Sequence, residues 1–408
     1  MYNVSTVPQR IAKVWIPPQQ AREIPIHVAL RYHQDNRFQV DMKKLREQLV
    51  PSYLDNRLRG LTLMSPFSIS DGYGQGSVFM ADGLLGLSID MDLYPCGWYS
   101  AAGIPERVRD VLANSQKHGY DIGIGRGYPT DVMHRLPAKT LLCNTMWESD
   151  RIPEEWVPGM NRCAAILLPC EAQFEIFRES GVKRPMYTIP EPVDTAYWSE
   201  RTQLPNPKEF KIVSWSRMSS RKMPLEMLQV FSYVFPADQY PDVVFELKTN
   251  NGQFGMGSAG IPHIRDKRIR IHDGIWSLDR LRDWASSANA GFFLSRGEGM
   301  FVPPMQAMCL GLPVIVPNHT GPSDYADTRY NYPVKLDPKE PLVPSPMGEG
   351  LRWWNPSLDH AAEQLKKLYD NYKEAQRRGK AAQKMIQERY SILSVANRIV
   401  RVAEEYGR

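Results

Sequence analysis

The chain has 408 residues, 42% hydrophobic and 23% charged, with 50 Lys and Arg against 45 Asp and Glu and a formal net charge of +5. Such a composition supplies apolar material for two packed cores and excludes wholesale disorder, collagen-like rods and coiled coils. The mild positive bias suits an anionic ligand but does not single out nucleic acid or membrane. The 33 prolines are scattered, as expected of many short elements joined by stiff loops. Cys96, Cys143, Cys163, Cys170 and Cys309 are odd in number and form no CxxC, so they read as small buried hydrophobes in a reducing compartment. The opening segment, MYNVSTVPQRIAKVW, lacks the apolar core of a secretion signal. No run reaches the roughly 18 apolar residues that span a bilayer, and a cytoplasmic protein without a transmembrane segment is expected.

In chain order, residues 1–60 form an amino-terminal appendage. Ile24, Ile26, Val28 and Leu30 alternate with other residues as a half-exposed strand does, and Asp41–Leu49 reads as a basic helix. From Leu61 a strand–turn–helix rhythm sets in. Strands are expected at Leu61–Phe67, Leu87–Met91, Asp121–Ile124, Thr140–Thr145, Ala164–Pro169 and Met186–Ile189. Gly72, Gly74 and Gly76 mark a turn ahead of a helix at Val78–Leu85. A polar, proline-bearing linker at Pro190–Pro207 follows. The rhythm restarts with strands at Lys211–Trp215, Val243–Leu247, Ile269–His272, Gly291–Leu294 and Pro313–Val316, and closes with helices at Ser357–Tyr372, Glu374–Glu388 and Leu393–Glu405. Alternation at this spacing implies right-handed βαβ units and parallel sheets. Two doubly wound α/β domains facing a cleft are expected, over 61–195 and 196–390, with 391–408 as a terminal helix that crosses back. Ligands in such sheets sit beyond the carboxyl ends of the strands.

Three stretches carry chemistry. Ser295-Arg-Gly-Glu298-Gly-Met-Phe-Val-Pro-Pro-Met-Gln306-Ala-Met-Cys-Leu-Gly-Leu-Pro-Val-Ile places an acid in a glycine-flanked turn and a polar residue eight positions on, in a helix starting near Pro303. Backbone N–H groups at that helix start favour an anion such as a diphosphate. Trp215-Ser-Arg217-Met-Ser-Ser-Arg-Lys222-Met-Pro sets two cations between a strand and a helix start, where the dipole disfavours them unless an anion is bound. Thr145-Met-Trp-Glu148 opens a third loop, and Ser70-Asp-Gly72-Tyr73-Gly74-Gln-Gly76 is a glycine-rich turn of low specificity.

The first of these resembles the Glu-x7-Glu frame of family-4 retaining glycosyltransferases of GT-B fold, with Gln306 in place of the second Glu. The second is similar to that family's G-R-x-x-x-x-K-x-P element, and the third to its T-M-x-E-x-x-x-x-P-x-x-W segment. The resemblance spans about residues 61–390 and does not reach 1–60. It implies a GT-B fold of two Rossmann-like domains and transfer of a hexose or similar sugar from a nucleoside-diphosphate sugar, of UDP or GDP type, to a hydroxyl. It implies no metal and no cofactor. Glu298 would hold sugar hydroxyls and Gln306 the ribose or the neighbouring phosphate, while Arg217 and Lys222 neutralise the diphosphate. Gly299, Met300, Phe301, Lys248, Gly274, Ile275 and Trp276 would complete the donor site. Gly72, Tyr73, Gly74 and Glu148 would line the acceptor and phosphate side. Acceptors in keeping with the fold are a glycan, a lipid carrier, a protein or a modified nucleobase. Two other classes stay open. One is an NAD-type oxidoreductase built on Gly72–Gly76 with Asp90 or Asp92 as the ribose-binding acid; the other is a non-catalytic carbohydrate- or nucleic-acid-binding protein. No HExxH, Cys/His cluster or GxSxG elbow is present.

Overall fold

A computed structural model describes residues 58–114, 117–129, 133–250 and 264–407, together with short segments at 2–3, 9–11, 14–16 and 38–39. The strand expected at Ile24–Leu30 and the helix expected at Asp41–Leu49 lie outside the described residues.

The first sheet contains β1 (Gly60–Phe67), β2 (Asp90–Tyr99), β3 (Ile122–Arg126), β4 (Thr140–Asn144), β5 (Ala165–Leu168) and β6 (Met186–Thr188), in spatial order β6-β5-β4-β3-β1-β2. Every neighbouring pair is parallel. Helices α1 (Gly72–Gly86), α2 (Glu106–Ala113), α3 (Trp156–Asn161) and α4 (Ala172–Glu179) make the crossovers. A parallel sheet covered on both faces is why β3 and β5 are buried along their whole length and read as apolar runs, broken only by Arg126 at the end of β3. After the linker helix α5 (Thr195–Trp198), a second sheet is built from β7 (Phe210–Trp215), β8 (Val243–Lys248), β9 (Ile269–His272), β10 (Ala290–Phe292), β11 (Val314–Pro317) and β12 (Tyr332–Val334), in order β9-β8-β7-β10-β11-β12. It too is parallel throughout. Helices α6 (Pro224–Val234), α7 (Leu278–Ser286) and α8 (Val302–Cys309) alternate with its strands, and α9 (Leu358–Asp370), α10 (Tyr372–Arg389) and α11 (Ile392–Tyr406) close the chain.

Helix α11 carries the apolar stripe Val395, Ile399 and Val402 into the core of the first sheet, beside Val78, Leu84 and Leu63. Gly83 of α1 lies so close to it that a Cβ there would stand 2.8 Å from that of Ala396. A hairpin that periodicity does not announce, β13 (Leu342–Pro344) with β14 (Arg352–Trp354), reaches from the second half to the first. Leu351 and Trp354 pack against the cluster of Trp147, Ile152 and Trp156. Arg352 N–H donates to Asp150 Oδ1 at 2.8 Å, and Asp150 N–H returns a bond to the Arg352 carbonyl at 3.1 Å.

Some expectations are corrected. The strand expected at Leu87–Met91 starts only at Asp90 and runs to Tyr99, and the second sheet has a sixth strand, Tyr332–Val334, beyond those expected. Gly72, Gly74 and Gly76 do not form a turn ahead of a helix at Val78; they lie inside α1, which starts at Gly72. The cause is local: Asp71 is an N-cap whose carboxylate accepts from Gly74 N–H at 2.9 Å, so the helix begins as soon as the loop after β1 ends. Gly76 has a packing reason, since a Cβ there would lie 1.9 Å from Glu191 Oε2. That carboxylate forms a two-pronged pair with Arg126 at 2.9 and 2.8 Å. Arg126 also donates to Asn144 Oδ1 at 2.6 Å, Ser77 Oγ at 2.9 Å and the Tyr73 carbonyl at 3.1 Å. The pair thereby pins the linker residue Glu191 to β3, β4 and α1.

Candidate active site

The site is assembled from loops that follow strands. After β10 the chain runs through Ser295–Phe301 into α8, and after β7 it runs through a 3-10 turn at Ser220–Lys222 into α6. The two loops are stitched together. Arg296 N–H donates to the Arg221 carbonyl at 2.7 Å, Ser295 Oγ donates to the same carbonyl at 3.1 Å, and Arg296 Nη1 reaches the Ser220 carbonyl at 2.7 Å. Arg296 further pairs with Glu226 of α6 at 2.8 Å.

Within this frame Glu298 is buried and faces two cations. Lys222 Nζ donates to Oε1 at 2.5 Å, and Arg221 Nη1 lies 3.3 Å from Oε2. The same Nη1 is 3.0 Å from Glu148 Oε1, in the loop after β4 of the first sheet, and donates to the Gly297 carbonyl. Lys222 also sits 4.7 Å above the Phe301 ring. Burial opposes ionisation of Glu298, but Lys222 and Arg221 overcome it and hold its pKa below the usual carboxylate range. Burial pushes Glu148 the other way, eased by Arg221 and reinforced by the Glu298 carboxylate. With 29% of its side chain exposed, Glu148 feels both influences through screening water. Lys222 is drawn below its ordinary value by burial, against the pull of Glu298.

The first half meets this loop closely. A Cβ on Gly297 would stand 2.1 Å from the Glu148 carbonyl, so only glycine admits the approach. Gln173, fully buried at the start of α4, donates from Nε2 to the Trp147 carbonyl at 3.1 Å and the Gly299 carbonyl at 3.1 Å, while Trp147 N–H donates to its Oε1 at 3.3 Å. Three of the four non-glycine residues with positive φ among the described residues ring the acid: Met223 (50°), Phe301 (64°) and Thr320 (45°). Each such conformation costs roughly 1–3 kcal/mol and persists where surrounding contacts impose it.

Behind the loop, Glu298 N–H donates to Thr320 Oγ1 at 3.3 Å, Thr320 Oγ1 lies 3.0 Å from His319 Nδ1, and His319 Nε2 lies 2.8 Å from the Ser295 carbonyl. A carbonyl accepts only, so Nε2 carries the proton and Nδ1 receives the Thr320 hydroxyl. Burial lowers the His319 pKa from 6.5 to about 4, although the Ser295 carbonyl favours the charged form. The folded value lies below the unfolded one, so between pH 6.5 and 4 the unfolded chain takes up a proton that the folded chain refuses. Stability therefore falls as the pH drops through that window. At 1.36 kcal/mol per pKa unit the full penalty is about 3 kcal/mol. Denaturant unfolding at pH 7 and pH 4 should show His319→Gln losing less stability than wild type by about that amount; parallel losses would remove His319 from this role.

The remaining expected residues fall into separate groups. Arg217 is exposed on the loop after β7, near enough to Glu148 to favour its charged form. Gln306 lies one turn inside α8, and its Oε1 accepts the Trp215 indole N–H at 3.1 Å. The start of α8 is poorer in donors than expected: Pro303 and Pro304 occupy two of the four positions whose N–H groups a helix leaves free, so those of Phe301 and Val302 remain. Gly299 lies against Gln173, and Met300 and Phe301 are buried. Lys248 is buried and donates to the Thr249 and Gly274 carbonyls at 2.9 and 2.6 Å, which clamps the loop after β9. In that loop Gly274 has φ 101°, Ile275 is 67% exposed, and Trp276 lies under the Arg280 guanidinium at 4.2 Å. The hydroxyls of Ser216 and Thr249, beyond the ends of β7 and β8, are buried with no hydrogen-bond partner among the described residues.

Tyr73 belongs to the Arg126 network rather than the ion-pair cluster, while Gly72 and Gly74 form the capped first turn of α1. The Tyr73 ring lies 4.3 Å from the Arg126 guanidinium, and burial pushes its phenol pKa up. The acids of the dinucleotide alternative are misplaced. Asp90 opens β2, opposite Gly60, at the end of the sheet away from the α1 start. Asp92 accepts from His118 and Gly119 N–H at 2.9 and 2.8 Å, holding a turn. Asp324, in the loop after β11, is taken by the Tyr390 hydroxyl at 2.5 Å. Several participants carry no sequence signal: Arg221, hidden beside Lys222, Gln173, a lone amide with no pattern around it, the His319–Thr320 pair behind Glu298, and the hydroxyls of Ser216 and Thr249.

No family profile and no curated protein matches the chain. Among solved structures, sucrose-phosphate synthase of Thermosynechococcus elongatus is similar at TM-score 0.61 and 13% identity, covering 85% of this chain and 99% of that one. Anabaena HepE in complex with UDP and glucose is similar at TM-score 0.59 and 11% identity, covering 85% and 100%. The pneumococcal O-GlcNAc transferase GtfA in complex with UDP and GlcNAc is similar at TM-score 0.51 and 15% identity over 70% of this chain; the match spans 56% of GtfA. At these identities the likeness establishes the fold, which is the GT-B arrangement of two parallel six-stranded sheets. Among the described residues no helix is long and apolar enough to cross a membrane, and no group of three or more His, Cys, Asp or Glu is placed to hold a metal ion.

Proposed function

We propose that the protein is a glycosyltransferase that moves a hexose or similar sugar from a UDP-type nucleotide sugar to an acceptor hydroxyl, with retention of anomeric configuration and without a metal. The observation that carries this reading is Glu298, buried and ionised between Lys222 and Arg221 at the carboxyl edge of the second sheet of a GT-B fold. Lys222, with the exposed Arg217 on the same loop, supplies positive charge where a leaving diphosphate gathers negative charge. Glu298, fixed by its cations and by Thr320, accepts hydrogen bonds from sugar hydroxyls. Gln306 has its carbonyl oxygen turned to Trp215, so its NH₂ is the end offered to a ligand and fits a ribose or phosphate oxygen acting as acceptor. Ser216 and Thr249 supply hydroxyls to the same edge. In the transfer, the acceptor oxygen bonds to the anomeric carbon on the face that UDP leaves. The acceptor proton passes to the departing phosphate oxygen, giving a glycoside and UDP. The UDP preference draws support from the similar folds solved with UDP, and a carbohydrate hydroxyl is the acceptor class that fits best.

Melting in excess EDTA against a panel of nucleotides tests this. UDP and at least one UDP-hexose at 100 times their dissociation constants should add about 2.7 kcal/mol of stability, and sugar transfer should persist in the chelator. Stabilisation by NADH with none from UDP or GDP would overturn the reading, and turnover that requires added Mn²⁺ or Mg²⁺ would overturn its metal-free form.

A further inference from the structure

Arg221 stands one residue before Lys222, and its surroundings do not match those of a settled structural ion pair. Its Nη1 carries two hydrogens but faces three oxygens: the Gly297 carbonyl, Glu298 Oε2 at 3.3 Å and Glu148 Oε1 at 3.0 Å. The Gly297 carbonyl takes a hydrogen bond, and the two carboxylates are held by charge. Glu298 cannot be the loose one, because Lys222 grips its other oxygen at 2.5 Å and only 5% of its side chain is exposed. Gly297 is held within the loop by its own N–H, which donates to Ser295 Oγ at 3.4 Å. Glu148 differs from both. It belongs to the other sheet's loops, it is 29% exposed, and burial together with the Glu298 carboxylate disfavours its charge.

Charge balance points the same way. Glu148 and Glu298 cancel Arg221 and Lys222, so a diphosphate would enter a neutral cluster, with Arg217 as a further cation that favours Glu148's charge. With Glu148 withdrawn, the cluster gains a positive charge, and a guanidinium able to grip two phosphate oxygens is uncovered beside Lys222.

We propose that Glu148 is a displaceable occupant of the phosphate site. It and the donor's diphosphate compete for Arg221, which becomes a further phosphate-binding residue once Glu148 is expelled. This rests on the donor reading above for the identity of the anion, but the competition itself is a statement about any diphosphate.

Isothermal titration of the full chain with inorganic pyrophosphate, UDP and uridine tests it in wild type, Glu148→Gln and Arg221→Gln. Removing the competitor should tighten pyrophosphate and UDP about fivefold, the scale of one partly screened ion pair. Arg221→Gln should weaken both by about tenfold or more, the scale of a lost hydrogen bond to a charged group. Uridine, which has no phosphate, should bind all three alike, which also reports that the fold is intact. Glu148→Gln with unchanged or weaker pyrophosphate affinity overturns the competition, as does a failure of every variant to bind pyrophosphate. If Glu148→Gln tightens pyrophosphate while no protein binds UDP, the competition stands and the sugar-nucleotide reading fails.

Discussion

Lys222→Met is expected to lower the turnover number for UDP release from the donor by about 10²–10³, the scale of losing one preorganised electrostatic contact with developing charge. The loss has two sources, and both follow from the geometry. Lys222 is the ammonium that would face the leaving diphosphate, and it is also the closer of the two cations on Glu298, at 2.5 Å against 3.3 Å for Arg221. Without it the buried Glu298 is less willing to ionise and becomes a poorer acceptor for sugar hydroxyls. Lys222→Arg keeps the charge and should retain far more activity, although a planar guanidinium does not reproduce the ammonium over the Phe301 ring. Steady-state nucleotide release measures this; near-wild-type turnover in Lys222→Met would remove the residue from the chemistry.

The second large effect is on stability. Arg126→Met should cost about 3–5 kcal/mol, because it leaves the Glu191 carboxylate buried without its partner. The side chains of the pair are 0% and 4% exposed, and Glu191 is gripped at both oxygens. Replacing both members, as Arg126→Met with Glu191→Leu, should recover most of the loss, since a buried pair exchanged for apolar groups is often close to neutral. Denaturant unfolding of the single and double variants closes the cycle. A single-variant loss below about 1 kcal/mol would class the pair with those that contribute little to stability.

How far sequence reaches can be read from these same residues. Most strands of both sheets are legible because parallel strands covered on both faces are apolar, as Ile122–Arg126 and Ala165–Leu168 are apart from Arg126 itself. The polar start of Asp90–Tyr99 and the three-residue Tyr332–Val334 carry no such run. The hairpin Leu342–Pro344 with Arg352–Trp354 is not legible: its strands are three residues long, rich in proline and tryptophan, and held by Asp150 and Arg151 from far away in the chain. Glu298 and Lys222 stand in long frames whose spacing draws attention to them. Arg221 is hidden by the same spacing, because the Arg217–Lys222 interval directs the eye past it, whereas the 3-10 turn at Ser220–Lys222 brings Arg221 to the Glu298 and Glu148 carboxylates. The glycines at 72, 74 and 76 mislead for a related reason. A run of glycines reads as a turn, but Asp71 caps a helix there, and Gly76 is small to admit the Glu191 carboxylate rather than a ligand. Gln173 has no signal at all, since its place between two loops of different sheets exists only in three dimensions.

A crystal structure of the protein grown with UDP in EDTA shows directly where the nucleotide's diphosphate sits. It should lie against Lys222 and Arg217, before the start of the helix at Val302, with Glu298 beside the position of the sugar. A diphosphate seated at the start of the Gly72 helix, away from Lys222, would contradict it.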